Sequence, residues 1–318
     1  MKSYLALAWK ELKAQKITAI LILVAVIMST IMTTVIGQSI GTLQSMRIQQ
    51  AAGLNGNRYA TFHQLGKEQA QKLHEDDRLY DVGDTIFIGS TPLGNSSLSL
   101  YLREYHDNAL SMYPAIGNVK EGRLPEEAME IALSEDALQY LGLDAVIGDT
   151  VSLDLSVSVM DGSLPELEYS ADFVLTGILE SSYIGYASGT VEGIVGEGTA
   201  EELLPEEYLF YSTDFKTYDK QNFQSIIYAL AEDLNVDERY IQYNWVLLDA
   251  IGISYDEAAD SDTGTGFSFM TAACILVGVL VLLAAGLVIY NILKISITKR
   301  IKEYGTLRAI GGERGQIY

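Results

Sequence analysis

The sequence predicts an α+β membrane protein, with two transmembrane helices flanking a mixed α+β extracytoplasmic domain. Three observations carry that expectation. Residues 17–36 and 263–293 contain no charged side chain, and roughly twenty apolar residues at about 1.5 Å rise each cover a hydrocarbon core of about 30 Å. Basic residues gather outside those runs. Lys2, Lys10, Lys13 and Lys16 stand against Glu11 before the first, and Lys294, Lys299, Arg300, Lys302, Arg308 and Arg314 against Glu303 and Glu313 after the second. The net charge of −21 is therefore carried by the interval between, where strand-like and helix-like stretches mix without a regular βαβ beat.

Taken in order, residues 1–16 read as a cytoplasmic amphipathic N-terminus. Leu5, Ala8, Trp9 and Leu12 share a helical face, with Trp9 at headgroup depth; a plain basic flank fits the same residues. Residues 17–37 form the first span. A cleaved signal would have a shorter apolar region, about 7 to 15 residues, ending at small residues. This run continues into VIGQSIGTLQSM, which favours an uncleaved helix extended as a stalk to about residue 52.

Residues 38–266 form the outer domain with its helical stalks. DTIFIGS, SLSLYLRE, DTVSLDLSVSV and ADFVLTGIL show strand enrichment or period-two alternation, and KEQAQKLHED, SEDALQYLGL and DKQNFQSIIYALAEDL show helical spacing. Ser134 can cap a helix that Gly142 stops. The glycine-rich residues 189–198 read as a loop or hairpin edge, HEDD at 74–77 as a solvated helix end, and 245–266 as a polar, flexible joint. Residues 267–293 are the second span. Residues 294–318 are a cytoplasmic extension in which Ile297, Ile301, Tyr304 and Arg308 share one helical face until Gly311 and Gly312 end it. Both ends are placed in the cytoplasm by the Lys/Arg bias, in a plasma membrane. Cys274 is the single cysteine, so the outer domain must hold itself together without an internal disulfide.

Two stretches carry a family pattern. IGNVKEGRLPEEAMEIALSEDALQYLGLDAVIGDTVSLDL resembles the extracytoplasmic core domain of FtsX-like and MacB-like ABC permeases. The matching positions are Gly122, Arg123 and Pro125 of a turn, Glu130 of a strand, Gly142 ending a helix, and Gly148 and Asp149 of a second turn, with Gly177 on a later strand. ITKRIKEYGTLRAIGGERGQI resembles the family's cytoplasmic signature after its second span, at Arg300, Glu303, Tyr304, Gly305, Leu307, Arg308, Ala309 and Gly311. The resemblance implies a permease whose tail docks on a separate ABC ATPase subunit, with ATP and Mg held by that subunit, and a second permease copy in a dimer. Family units carry four spans or more, so the chain reads as the amino-terminal part of a longer permease.

Other chemistries find little support. The lone Gly-Lys pair, Gly66-Lys67, continues as Glu68, which excludes a phosphate loop. The glycines at 193, 196 and 198 are misspaced for a dinucleotide turn. His63, His74 and His106 show no paired metal spacing, and Asp260, Asp262 and Gly264 lack the acid that would complete a calcium loop. No GxSxG elbow occurs, so neither a catalytic site nor a bound metal is expected on this chain, nor is a nucleic-acid partner. The acidic interval could attract a cationic peptide through its field; a lipid or lipoprotein is an equally open substrate. A two-span receptor is the competing class, but glycines at 305, 311, 312 and 315 suit a signalling coiled coil poorly. A membrane-anchored hydrolase lacks a catalytic constellation. The chain's twenty tyrosines read as ordinary half-buried packing.

Overall fold

The computed structural model describes residues 16–94, 97–181, 189–253, 255 and 269–309, and every structural statement refers to these. They divide into two compact units, one of residues 1–44 with 269–318 and one spanning Ser45–Ser268. The expectations for residues 1–15, for the half calcium loop at Asp260–Gly264 and for Gly311 and Gly312 lie outside the described residues.

The chain enters the second unit on helix α1 (Lys16–Asn55), whose Ala51 is fully buried there. In chain order follow β1 (Ala60–Leu65), α2 (Lys67–His74), β2 (Leu79–Pro92), β3 (Ser99–Tyr105), β4 (Val119–Gly122), β5 (Glu130–Ser134), α3 (Glu135–Leu141), β6 (Thr150–Val157), β7 (Leu167–Leu179), β8 (Thr190–Val195), α4 (Thr199–Leu203), β9 (Tyr211–Thr217), α5 (Phe223–Leu234), β10 (Ile241–Tyr243) and α6 (Trp245–Ile251). The strands form one mixed sheet in the order β10-β1-β9-β2-β3-β8-β5-β7-β4, with β6 against β7 and β2. Because β6 meets β2 at Ser90 and Ser156, the pairings β2-β3-β8-β5-β7-β6 close into a ring. Strand β2 is the long shared element: its first half joins the open sheet β10-β1-β9, its second half the ring.

Period-two alternation decides what each lobe buries. Ile86, Ile88, Leu100, Leu102, Leu133, Leu153 and Phe173 fill the ring. Phe62, Phe215, Leu73, Phe223, Ile227 and Leu248 fill the space between the open sheet and α2, α5 and α6. The Phe62 and Phe215 rings meet edge to face at 5.2 Å, a favoured geometry for paired aromatics.

Several local expectations are met. Ser134 Oγ accepts from the Ala137 amide at 3.2 Å, and Gly142 adopts a left-handed cap with φ 72°. Three others are corrected. Residues 190–195 are not a loop edge but an interior strand, parallel to β3 and antiparallel to β5. Gly193 is there for space, since a Cβ would stand 2.6 Å from Leu102 Cδ2 and 2.7 Å from Leu133 Cδ2. Helix α5 begins at Phe223 rather than near 219, because the Asp219 carboxylate accepts from the amides of Gln221 and Asn222 and holds a turn. Residues 245–251, read as part of a flexible joint, are a helix with Leu247 and Leu248 buried.

The sequence after the domain forms helix α7 (Phe269–Ala309). Within α1 and α7, the segments Val26–Asn55 and Ile275–Ile295 are long and apolar enough to cross a bilayer. Their large side chains, such as Met28, Ile31, Leu282 and Leu283, are exposed, as surfaces that face lipid must be. Thr30, Thr34, Ser39 and Thr42 turn their hydroxyls back onto carbonyls four residues earlier, which satisfies these four groups within the helix. The two helices mark a membrane protein.

Gly122 and Gly177 face each other across β4 and β7. A Cβ on Gly177 would lie 2.2 Å from the Arg123 carbonyl oxygen, a backbone atom that cannot swing aside. Gly177→Ala is expected to cost about 1–3 kcal/mol as overpacking, read as a lower unfolding midpoint of the purified chain. An unchanged midpoint would mean that the two strands separate freely.

Candidate functional site

Two features of the domain stand out: a junction where its first and last segments meet, and a cavity on one face of the sheet. At the junction Asn244, almost fully buried, donates through Nδ2 to the carbonyls of Gly56 (2.7 Å) and Arg58 (2.9 Å). Its Oδ1 accepts from the Leu247 amide at the start of α6, and its backbone N–H donates to the Tyr59 carbonyl. Arg47 on α1 and Asp249 on α6 add a partly exposed ion pair at 3.7 Å. One asparagine therefore ties the chain just after α1 to the chain just before α6.

Beside it lies a buried ion pair. Arg58 Nε sits 2.9 Å from Asp214 Oδ1, Tyr113 donates its hydroxyl to Asp214 Oδ2 at 2.7 Å, and Thr61 donates to Oδ1 at 2.5 Å. Arg58 Nη2 reaches Gln242 Oε1 at 3.1 Å. Every charged atom of this pair has company, the condition under which a buried pair is tolerated. Burial and the neighbouring Asp214 raise the Tyr113 phenol above its usual range, so it stays a donor. His63 bridges Ser212 (2.9 Å) and Gln242 Oε1 (3.1 Å). Because Gln242 Oε1 already accepts from Arg58, His63 carries its proton on Nε2. Burial pushes its pKa down, and the ring is neutral.

These groups form one end of a cavity of about 750 Å³. Its floor is built by the pleat: Thr61, Asp214, Thr85, Phe87, Arg103, Tyr101 and Glu192 come from successive strands, and the ladder pairs Thr61 with Asp214, Phe87 with Arg103 and Tyr101 with Glu192. The opposite faces of the same strands carry the core. At the other end stand Val157, Val159, Met160, Tyr208 and Phe210.

The second charged pair in the cavity, Arg103 and Glu192, differs from the first. Nε and Oε2 are 3.4 Å apart, yet neither atom has a hydrogen-bond partner among the described residues, nor does Thr85 Oγ1. Burial raises the Glu192 carboxyl above the ordinary range, and Arg103 offsets only part of that.

A third cluster joins His74 Nε2 to Asp84 Oδ2 at 3.0 Å and Asp107 Oδ2 at 3.8 Å, with Thr213 donating to Asp84 Oδ1. Its ligand atoms lie within 4.8 Å of one another. Helix α2 ends at His74, with His74, Glu75 and Asp77 exposed as the sequence suggested, and His74 also ties α2 to β2.

Residues 275–318 match the family model for the FtsX-like permease C-terminal region. Over these residues the chain is similar to FtsX-like permeases. A solved structure similar to the chain is the periplasmic region of MacB from Actinobacillus actinomycetemcomitans, at 15% identity and a TM-score of 0.37, covering 63% of this chain and 94% of that one. No curated protein matches.

Within the matched segment Arg300, Glu303, Tyr304, Gly305, Leu307, Arg308 and Ala309 all lie on α7, which passes through Gly305 without a break; Gly311 lies outside the described residues. The other motif residues gather at the β4–β7 end of the sheet. Arg123 Nη1 donates to Glu130 Oε2 at 2.8 Å, and the amides of Glu126 and Glu127 donate to the same oxygen, closing the loop that holds half-buried Pro125. Gly148 (φ 97°) donates to the Leu175 carbonyl, and Asp149 Oδ2 accepts from the Val146 amide at 2.9 Å. With Gly122, Gly142 and Gly177 they shape turns and close strand contacts, and none of them lines the cavity. Arg58, Arg103, Glu192, Asp214 and Asn244 went unnoticed in the sequence; alternation in LYLREY and YSTDFKT was the available signal.

Hydrogen bonds from Arg123 and from two backbone amides hold the Glu130 carboxyl down to about 2, against 4.5 ordinarily. A depressed carboxylate stabilises fully above its unfolded pKa and loses that contribution as pH falls through the folded value. Glu130→Gln is expected to flatten the pH dependence of stability between 4.5 and about 2, measured by denaturation across that range. An acid limb as steep as the parent's would show that Glu130 does not carry it.

Proposed function

We propose that this chain is part of an ABC-transporter permease subunit that passes ATP-driven motion from a separate ATPase to its outer domain. One observation carries the reading. Over its described residues, 275–309, the segment that matches the FtsX-like permease region lies on a single helix, Phe269–Ala309, in which the apolar Ile275–Ile295 runs without a break into the basic Lys299–Arg308 segment. A continuous helix transmits displacement along its axis where a jointed segment would absorb it. The Lys/Arg excess at both ends supports cytoplasmic termini and an outer domain between them. ATP and Mg would belong to the partner ATPase, and a second permease copy would complete a dimer.

The outer domain supplies the output end: α1 brings its last turns into the core, and Asn244 fastens the chain after α1 to the start of α6. The acidity of the domain supports a cationic substrate over an anionic one, while lipid and lipoprotein substrates are served by the same architecture.

The reading is tested by co-expressing the chain with the ATPase encoded beside it. Arg300→Glu with Arg308→Glu is expected to abolish co-purification of the ATPase while the chain still inserts in the membrane. Retained co-purification would mean that these arginines only orient the span.

A further inference from the structure

The two ion pairs in the domain cavity are held differently, and the difference points to a ligand. Arg58 and Asp214 are enclosed by hydrogen bonds from Tyr113 and Thr61 and to Gln242, so that pair is structural. Arg103 and Glu192 face each other with Nε and Oε2 unpartnered. Leaving buried polar atoms unpaired costs free energy that folding alone does not return. The Arg103 side chain is still 33% exposed, toward a cavity of a size that takes small molecules. Thr85 Oγ1, also unpartnered, lies on the same floor.

The apolar part of the wall is Phe87 and Tyr101, with ring centroids 5.4 Å apart, and beyond them Val157, Val159, Met160 and Phe210; Ser90, Ser158 and Glu180 line the cavity as well. Met160 is 65% exposed at the rim, an apolar side chain with nothing apolar to cover it. The cavity thus holds two ion pairs that balance, Arg58–Asp214 and Arg103–Glu192, one further carboxylate from Glu180, and an apolar end.

We propose that this cavity is a binding site for a neutral amphipathic amide, its apolar body against Phe87, Tyr101 and Met160 and its amide head on the part-exposed open side of the Arg103–Glu192 pair. A carboxylate head would meet Glu192 and an ammonium head Arg103, each repelled by one member of the pair. An amide offers an acceptor to the guanidinium and a donor to the carboxylate at once. The site is independent of the permease reading, since it rests on the domain alone.

The test uses the full chain in lipid nanodiscs and three probes that share one apolar body: 3-(2-naphthyl)propanamide, 3-(2-naphthyl)propanoate and 3-(2-naphthyl)propylammonium. Binding is read from naphthyl fluorescence and saturation-transfer NMR, with empty nanodiscs subtracted. The amide should bind saturably and the two ions about tenfold more weakly or worse. Arg103→Met, which keeps the stem and removes the donors, should weaken the amide about tenfold. Met160→Asp, at an exposed position where folding is not at stake, should weaken it several-fold, with unfolding midpoints as the fold control. No saturable amide binding, an ionic analogue bound as tightly as the amide, or amide binding that both variants leave unchanged would each overturn the proposal.

Discussion

The domain depends on how its two loose ends are joined. A chain that begins on one long helix and leads onward to another must fix both segments onto one core, or each would fray separately. Asn244 performs that fixing with its whole hydrogen-bonding capacity: two donors to the backbone after α1, one acceptor for the start of α6 and its own amide on Tyr59. Arg58, two residues from the first of those carbonyls, is anchored to β9 by Asp214. A buried asparagine or arginine satisfied in this way has one workable position, because any displacement leaves several polar groups unpaired together. A displacement of the chain at either end is therefore shared by the other.

The second organising constraint is the pleat. Apolar side chains alternate into two cores, one inside the ring and one under α2, α5 and α6, and the intervening residues then lie on a common opposite face. Where β2 passes from the open sheet to the ring, that face is hollowed, and polar residues from seven strands line it with aliphatic and aromatic neighbours. Elsewhere in the domain, buried charge closes contacts. Glu104, 1% exposed, accepts from the amides of Gly198 and Ala200, and with Arg58–Asp214 it shows how completely this fold satisfies charge it has no other use for. Against that standard Arg103 Nε and Glu192 Oε2, like His106 Nε2 beside Glu104, are loosely met, and groups of this kind concentrate at binding sites.

Much of this could be read from the chain itself, and the divide has physical causes. Spans, alternation and caps are local signals, so the apolar runs, the long alternating strands around residues 79–105 and 150–179, and the Ser134–Gly142 helix were legible. Residues 190–195 were not, because a glycine that clears Leu102 and Leu133 looks the same in sequence as a glycine that makes a turn. The Trp245–Ile251 helix was hidden for a similar reason: its cap is a side chain whose donors go to residues almost two hundred positions earlier. The motif positions Arg123, Glu130 and Asp149 carry the resemblance but shape turns, whereas the cavity residues come from nine separate strands. No single stretch could announce them.

The most direct test of this account is amide hydrogen exchange on the full chain carrying Asn244→Asp. The aspartate still accepts from the Leu247 amide but cannot donate to Gly56 or Arg58, so α6 keeps its cap while the clamp is cut. The account predicts faster exchange, by about tenfold or more, in residues 56–59 and in Trp245–Ile251 together, with β6 and β7 unchanged. Faster exchange confined to Trp245–Ile251, or none in either segment, would contradict it.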